Sequence, residues 1–336
     1  MKATDTNKRK RTQALNTVII GLNACVVTVT DETPRVLVVR PDRGAKSEPL
    51  EGLPFGPFDP THHRTLEIGL RNLVQEQTRV SLGYVEQLYT FGDRGRHELK
   101  PDEGSRVVSV GYLALTRASE ESDSLGRWYD IYDFFPWEDW RHERPALIDG
   151  IIHPHLNAWA ELADSDVRLE RIRLCFGSDG GHWDEEKVLE RYELMYEAGL
   201  VLEARRDGRI LPASAPRLSD QALFGKAMQF DHRRILATGM GRMRGKLKYR
   251  PIVFEVMDTA FTLLDLQRTV EAISGIHLHK QNFRRLVETG GLVERTGKRS
   301  TKAGGRPAEQ FRFRREVLRE RPTPGVRVPL LRTARP

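Results

Sequence analysis

Cysteine is nearly missing from this chain: its 336 residues contain two, Cys25 and Cys175, far apart. That count excludes a disulfide-built scaffold, and neither thiol has partners at the spacing that holds zinc. A reduced compartment and buried thiols are expected. Long apolar runs are missing too. No stretch is long enough to cross a bilayer and the first residues form no apolar signal region, so a cytoplasmic chain with no membrane partner is expected. Acid is missing from residues 321 to 336, which carry four Arg, no Asp or Glu, and several prolines. A flexible tail is expected there.

What is present is divided unevenly by charge. Residues 231 to 320 hold 20 Lys and Arg against 10 Asp and Glu, whereas residues 13 to 230 hold 25 against 36. A basic C-terminal module on an acidic body places polyanion binding in that module. The first residues, with Lys8-Arg9-Lys10-Arg11, read as a basic flexible arm over 1–15.

The basic module has a legible pattern. Thr262 with Asp265 three residues on is a capping-box signature, and Leu263, Leu266, Val270 and Ile273 recur at helical spacing up to Gly275. A second helix starts at Lys280 and stops at Gly290-Gly291. Its Phe283, Leu286 and Val287 face inward, which leaves Lys280, Gln281, Asn282, Arg284 and Arg285 outside. Leu292 to Thr296, a basic loop and the alternating Phe311-Arg312-Phe313-Arg314 then read as a hairpin. Helix, turn, basic helix and basic hairpin make a winged helix-turn-helix, and long Arg, Gln and Asn side chains on one helix face are what base edges require. The candidate DNA-binding residues are Thr262, Lys280, Gln281, Asn282, Arg284, Arg285, Lys298, Arg299, Lys302 and Arg306.

Upstream the pattern is mixed. Val18 to Thr30 and Arg35 to Arg40 read as a hairpin, followed by a Pro/Gly loop at Leu53–Phe58. A helix over His63 to Thr78 follows, then strands over Tyr84 to Phe91 and Arg106 to Leu115. Residues 118–228 open on an aromatic run, Trp128 to Trp140, expected to pack on the preceding domain or on a second subunit. Glu and Arg alternate over Val167 to Arg173 and again over Glu185 to Leu194, which reads as surface helices. His153 and His155 lack a third ligand nearby. Gln229 to Leu247 reads as a connecting helix.

Hairpin, Leu53-Pro54-x-Gly56 loop and a helix carrying Arg71 and Glu76 together resemble a Nudix domain. Glu86 to Asp93 with Arg106 to Tyr112 is similar to ADP-ribose-recognising Nudix domains. Phe230-Asp231-His232, Lys246-Leu247-Lys248-Tyr249, Phe261 to Gln267, Lys280 to Arg285 and Gly305-Arg306-Pro307-Ala308 resemble the Nudix-related transcriptional regulators, the NrtR family. The resemblance implies an α+β chain, a Nudix-like α/β/α sandwich followed by a winged helix-turn-helix. Its implied divisions are an arm (1–15), a sensor (16–117), an insertion packed on it (118–228), a linker helix with the winged helix (229–320) and a tail (321–336).

A repressor of NAD metabolism genes is implied, with double-stranded operator DNA and ADP-ribose or a related nucleotide as effector. A homodimer is expected from the two-fold symmetry of half-site recognition. Anchored on Arg71, the chain has Asn72 and Gln75 where a hydrolytic Nudix box has glutamates; of the clustered carboxylates Glu76 alone remains. Hard-cation binding needs those carboxylates on one helical face, so no catalytic residue, metal or required cofactor is expected. Arg40, Arg71, Glu76, Tyr89, Phe91, Arg96 and Arg106 are the candidate effector contacts. Guanidiniums would take phosphate oxygens, and Tyr89 with Phe91 would flank an adenine. The rival expectation is an active Nudix pyrophosphohydrolase whose basic module only localises it.

Overall fold

The computed structural model describes residues 18–40, 50–93, 106–117, 126–178, 180–300, 307–320 and 325–326. The arm at 1–15, most of the tail, and the candidates Arg96, Lys302 and Arg306 lie outside the described residues, as does the Arg106 side chain.

Runs of Val, Ile and Thr prefer the pleated, half-buried surface of a sheet. Here they form β1 (Val18–Thr30) and β2 (Thr33–Val39), an antiparallel hairpin turning at Asp31 and Glu32, both at positive φ. β3 (Phe55–Pro57) pairs with β1, β4 (Tyr84–Phe91) with β5 (Arg106–Leu115), and β5 runs parallel to β1. The strand order is β4-β5-β1-β2-β6, where β6 (Gly126–Asp130) pairs antiparallel with β2. The sheet thus continues beyond residue 117, where the sequence pattern closes the sensor.

Strand alternation gives the sheet two apolar faces. Leu22, Ala24, Val26 and Leu37 meet Leu70 and Val74 of α1 (Leu66–Thr78) on one side. On the other, Cys25, Val27, Val36 and Val38 join a core reaching Ile235 and Leu266. Burial pushes the Cys25 thiol up to about 12, so it acts as a packing residue. α1 starts at Leu66 and not at His63, because Thr65 is the N-cap and accepts from the Ile68 amide at 3.2 Å.

Most of the aromatic run lies on that second face, while Trp128 packs on the first with α1. Phe135, Trp137 and Tyr192 are buried with helices α2 (His153–Ala160), α3 (Ser165–Phe176), α4 (Val188–Glu197) and α5 (Leu202–Arg206) around them. α6 (His232–Leu247) crosses this layer and buries Ile235, Met240, Met243 and Leu247. Glu138 sits fully buried between Arg191 of α4 and Arg244 of α6.

The C-terminal domain follows its sequence signals. α7 (Leu263–Ser274) carries the Thr262/Asp265 capping box and ends on Gly275 at φ 73°. α8 (Lys280–Gly290) ends on left-handed Gly291, and β7 (Val293–Ser300) with β8 (Ala308–Phe313) forms the wing. This domain docks on the sheet domain through the end of α7. The Trp140 amide donates to the Gly275 carbonyl at 2.6 Å, Tyr132 Oη donates to the Ala272 carbonyl at 2.7 Å, and Arg268 pairs with Glu32. Gly275 is required twice over. Its φ favours glycine, and a Cβ there would lie 2.5 Å from the Glu138 carbonyl oxygen and 2.6 Å from Arg244 Nη2. Among the described residues no helix is long and apolar enough to cross a membrane.

Candidate nucleic-acid interface and ligand cavity

α8 is amphipathic for a simple reason: Phe283 and Val287 are buried and Leu286 half-buried, one turn apart, so the residues between them point outward. Lys280, Gln281, Asn282, Arg284 and Arg285 are all exposed, and Lys298 and Arg299 are exposed on the wing strand β7. None of these five cations pairs with a described acid. Neighbouring wing arginines are engaged instead: Arg312 with Glu294 at 2.6 Å, Arg314 with Glu320 at 2.5 Å, Arg295 with Glu309 at 3.5 Å. A helix face with uncommitted Arg, Gln and Asn can read base edges, and uncommitted wing cations can meet phosphates. Thr262 serves chiefly as the α7 cap. Its Oγ1 accepts from the Asp265 amide at 3.1 Å and its own amide donates to Asp265 Oδ2 at 2.8 Å.

A cavity of about 520 Å³ opens between β1, β3, β5, α1 and the first turn of α6. Ile19, Gly21, Leu22 and Asn23 of β1 and Val107 and Ser109 of β5 form one wall. Phe55, Gly56 and Pro57 of β3, His63, and Leu73, Glu76 and Gln77 of α1 form another, and Phe230 and His232 close it. Its described lining holds Glu76, His63 and His232 as ionisable groups and no Lys or Arg.

Of the described effector candidates, Glu76 alone reaches this cavity. Arg71 is committed to holding α1 on the sheet: it pairs with Glu67 at 2.9 Å and donates to the Leu82 carbonyl at 2.7 Å and the Gly83 carbonyl at 3.1 Å. Arg40 pairs with Glu51 at 2.6 Å. Phe91 is 2% exposed in the core, beneath the Arg234 guanidinium, and Tyr89 beside it is 63% exposed. Neither lines the cavity: Phe91 is packed against α6, and Tyr89 is turned to solvent. The Arg106 backbone pairs with Val18.

Sequence reasoning passed over the residues that shape the cavity. Gln77 clasps β3 at two points, with Nε2 donating to the Phe55 carbonyl at 2.7 Å and Oε1 accepting from the Phe55 amide at 3.2 Å. The Leu53 amide donates to His232 Nδ1 at 3.0 Å, and the Gln229 amide to the Glu51 carbonyl at 3.0 Å. Loop 50–57 is thereby tied to the start of α6. Phe230 stands at φ 49°, a conformation costly for a bulky residue, and Arg206 holds it by donating to the Phe230 carbonyl at 2.7 Å. The available signals were the Phe/Gly/Pro loop and the Phe230-Asp231-His232 triplet, each adjacent to a helix start.

α6 runs from this cavity to the winged helix. Lys246 and Arg242 pair with Glu86 of β4 at 2.5 and 2.9 Å. Burial pushes the Glu86 carboxyl up, and its hydrogen bonds with Lys246, Tyr84 and Arg242 more than offset that, leaving it below the usual range. At the far end Arg244 Nε donates to the Ile273 carbonyl of α7 at 3.2 Å. His153 faces Asp149 at 3.3 Å and His155 Nδ1 meets the Ser214 carbonyl oxygen at 2.8 Å. No group of three or more potential metal ligands occurs among the described residues.

Comparison with known proteins places this geometry. Residues 253–313 match the NrtR DNA-binding winged helix domain. Over 86 residues the chain is 38% identical to the ADPR responsive transcriptional repressor NtrR of Acinetobacter baylyi, covering 26% of this chain and 34% of that protein. The match thus spans about a third of the curated relative's length. The fold is similar to that of Shewanella oneidensis NrtR complexed with a 27mer DNA, at 20% identity and a TM-score of 0.53, covering 89% of this chain and 94% of that one. A second crystal structure of the Shewanella protein gives a TM-score of 0.52 at 20% identity, over 89% and 95% of the two chains. Residues 253–313 are thus a winged helix domain of the NrtR type, and the chain as a whole has a fold similar to that of the Shewanella protein.

Proposed function

We propose that the protein is a transcriptional repressor of NAD metabolism genes that binds operator DNA as a homodimer in the cytoplasm and is released by ADP-ribose or a related nucleotide. The observation that carries the DNA-binding part is the outer face of α8, with Lys280, Gln281, Asn282, Arg284 and Arg285 exposed and its cations uncommitted. The domain model matched by residues 253–313 and the name of the Acinetobacter relative support it. ADP-ribose enters through that name and through the cavity, whose volume of about 520 Å³ suits a nucleotide.

The sensor acts without turnover. Asn72 and Gln75 are exposed amides, and Gln75 Nε2 is spent on the Arg79 carbonyl at 3.3 Å. Glu76 alone offers charge to a metal from that face, and one carboxylate holds Mg²⁺ poorly.

Calorimetry of ADP-ribose with free protein and with preformed protein–operator complex tests the reading. Linkage requires nucleotide and operator to weaken each other by one factor, typically about 5–150-fold. Equal nucleotide affinity for both forms refutes the effector role.

A further inference from the structure

An α-helix leaves its last four carbonyls without partners inside the helix, and the residues that follow it or water usually take them up. α7 closes its own end in part: the Gly275 amide donates back to the Glu271 carbonyl at 2.8 Å. The next carbonyls turn to the sheet domain. Tyr132 Oη donates to Ala272 at 2.7 Å, Arg244 Nε to Ile273 at 3.2 Å and the Trp140 amide to Gly275 at 2.6 Å. We propose that Tyr132, Trp140 and Arg244 are positioning residues for operator recognition: the sheet domain caps α7 and thereby fixes the turn that aims α8. This rests on the reading of α8 as the helix that meets base edges.

The turn between α7 and α8 is gripped from two sides. α7 supplies one grip itself: Glu271 Oε1 accepts from the Leu278 amide at 2.8 Å, and Gln267 Nε2 donates to the Leu278 carbonyl at 2.8 Å. Those bonds set the angle between the two helices. The direction in which the pair points is set by the other grip, whose donors are anchored behind. Tyr132 and Arg244 are buried, and burial pushes the Tyr132 phenol up to about 12, so it stays a donor. Arg244 also donates to Glu138 Oε2 at 2.6 Å and to the Glu138 and Glu185 carbonyls at 3.1 and 3.0 Å. The Trp140 ring lies 4.4 Å from that of Trp183, and its Nε1 donates to the Trp137 carbonyl at 3.1 Å. Gly275 lets the two sides close, since a Cβ there would also stand 2.8 Å from Tyr132 Oη. Donors backed by a buried ion cluster hold a direction better than an exposed pair such as Arg268 with Glu32.

Direction matters because two reading helices related by a two-fold axis must enter major grooves about 34 Å apart. Phosphate contacts tolerate many poses and carry no sequence information. Loosening the cap therefore removes specific binding before it removes general affinity for DNA.

The test uses the full-length protein with Y132F, which removes one donor and keeps the ring, and G275A, which forces the cap apart. Amide hydrogen exchange at Gly275 and Leu278 should accelerate about 2- to 10-fold in Y132F and further in G275A, while amides of β1 and β5 exchange as in wild type. Operator affinity should fall about tenfold or more in G275A, with affinity for a scrambled duplex within about twofold of wild type. Unchanged exchange at both amides in the two variants overturns the proposal, as does a G275A protein that binds operator like wild type. If β1 also exchanges faster in G275A, that variant has unfolded and Y132F decides alone: Leu278 accelerating ahead of β1 supports the cap, and the two accelerating together overturns it. R284A separates this inference from the reading beneath it. Operator affinity indifferent to R284A, with faster exchange in Y132F, shows the reading of α8 to be wrong while the cap stands. Operator affinity that falls in R284A and is unmoved in G275A keeps α8 as the reader and overturns the positioning role.

Discussion

Glu138→Gln is the substitution whose consequence the structure quantifies best. The carboxylate is fully buried and shared by two fully buried guanidiniums, Arg191 at 2.5 and 2.9 Å and Arg244 at 2.6 Å. Glutamine keeps the volume, removes the charge and points an amide donor at other donors. Removing one member of a buried ion pair costs about 3–5 kcal/mol, since the partner stays buried and uncompensated. Two partners are stranded here, which argues for the upper end, about 4–5 kcal/mol, against a total stability of about 5–15 kcal/mol for a domain. At about 2–4 °C per kcal/mol the melting temperature should fall by roughly 8–20 °C.

Acid should reproduce part of the effect. Burial pushes the Glu138 carboxyl up, and Arg191 and Arg244 more than offset that, holding it below its ordinary value of 4.5. A depressed folded-state value stabilises above the unfolded value and is lost as pH falls through the folded one, so the wild type should weaken below about 4.5. The variant should lack that share of the slope. Urea midpoints read by tryptophan fluorescence between about pH 2.5 and 7 measure both. A variant within about 1 kcal/mol of wild type, or one with an unchanged acid slope, would refute the reasoning.

Two further outcomes follow from the surface. Arg284→Ala and Arg285→Ala should each cost about 1–3 kcal/mol on operator DNA and little on a scrambled duplex, whereas Arg299→Ala should weaken both alike and lower the salt slope by about 1; equal losses on both duplexes for all three would remove base reading from α8. Release of AMP from ADP-ribose with Mg²⁺ or Mn²⁺ should stay far below the enzyme range of about 1 per second, and turnover at that rate would restore the hydrolase reading.

The parts legible in the sequence were those fixed by neighbours a few residues away. Thr262 and Asp265 close a capping box across one turn, and Gly275 and Gly291 end their helices because left-handed backbone suits glycine. The α8 pattern needed only helical spacing. β6 was not legible: Gly126–Asp130 is short and becomes a strand only because β2 offers it an edge. The buried arginines misled for the same reason. Arg191 sits in a Glu/Arg-alternating segment that reads as a surface helix, yet it is 0% exposed, because its partner Glu138 stands 53 positions away.

The cavity shows the limit most clearly. Tyr89 and Phe91 were sensible base contacts on strand alternation, but alternation names two faces without saying which one meets the cavity. The structure buries Phe91 against α6 and leaves Tyr89 exposed, at a register shift between Gln87 and Thr90. The rings that do meet the cavity, Phe55 and Phe230, lie in unrelated stretches of chain. What joins them is a set of single hydrogen bonds, Gln77 to Phe55, Leu53 to His232 and Arg206 to Phe230, none of which has a periodicity to betray it. A local rule can find an amphipathic helix with a basic outer face. A site assembled from loop ends is specified by its contacts, and those exist only once the chain has folded.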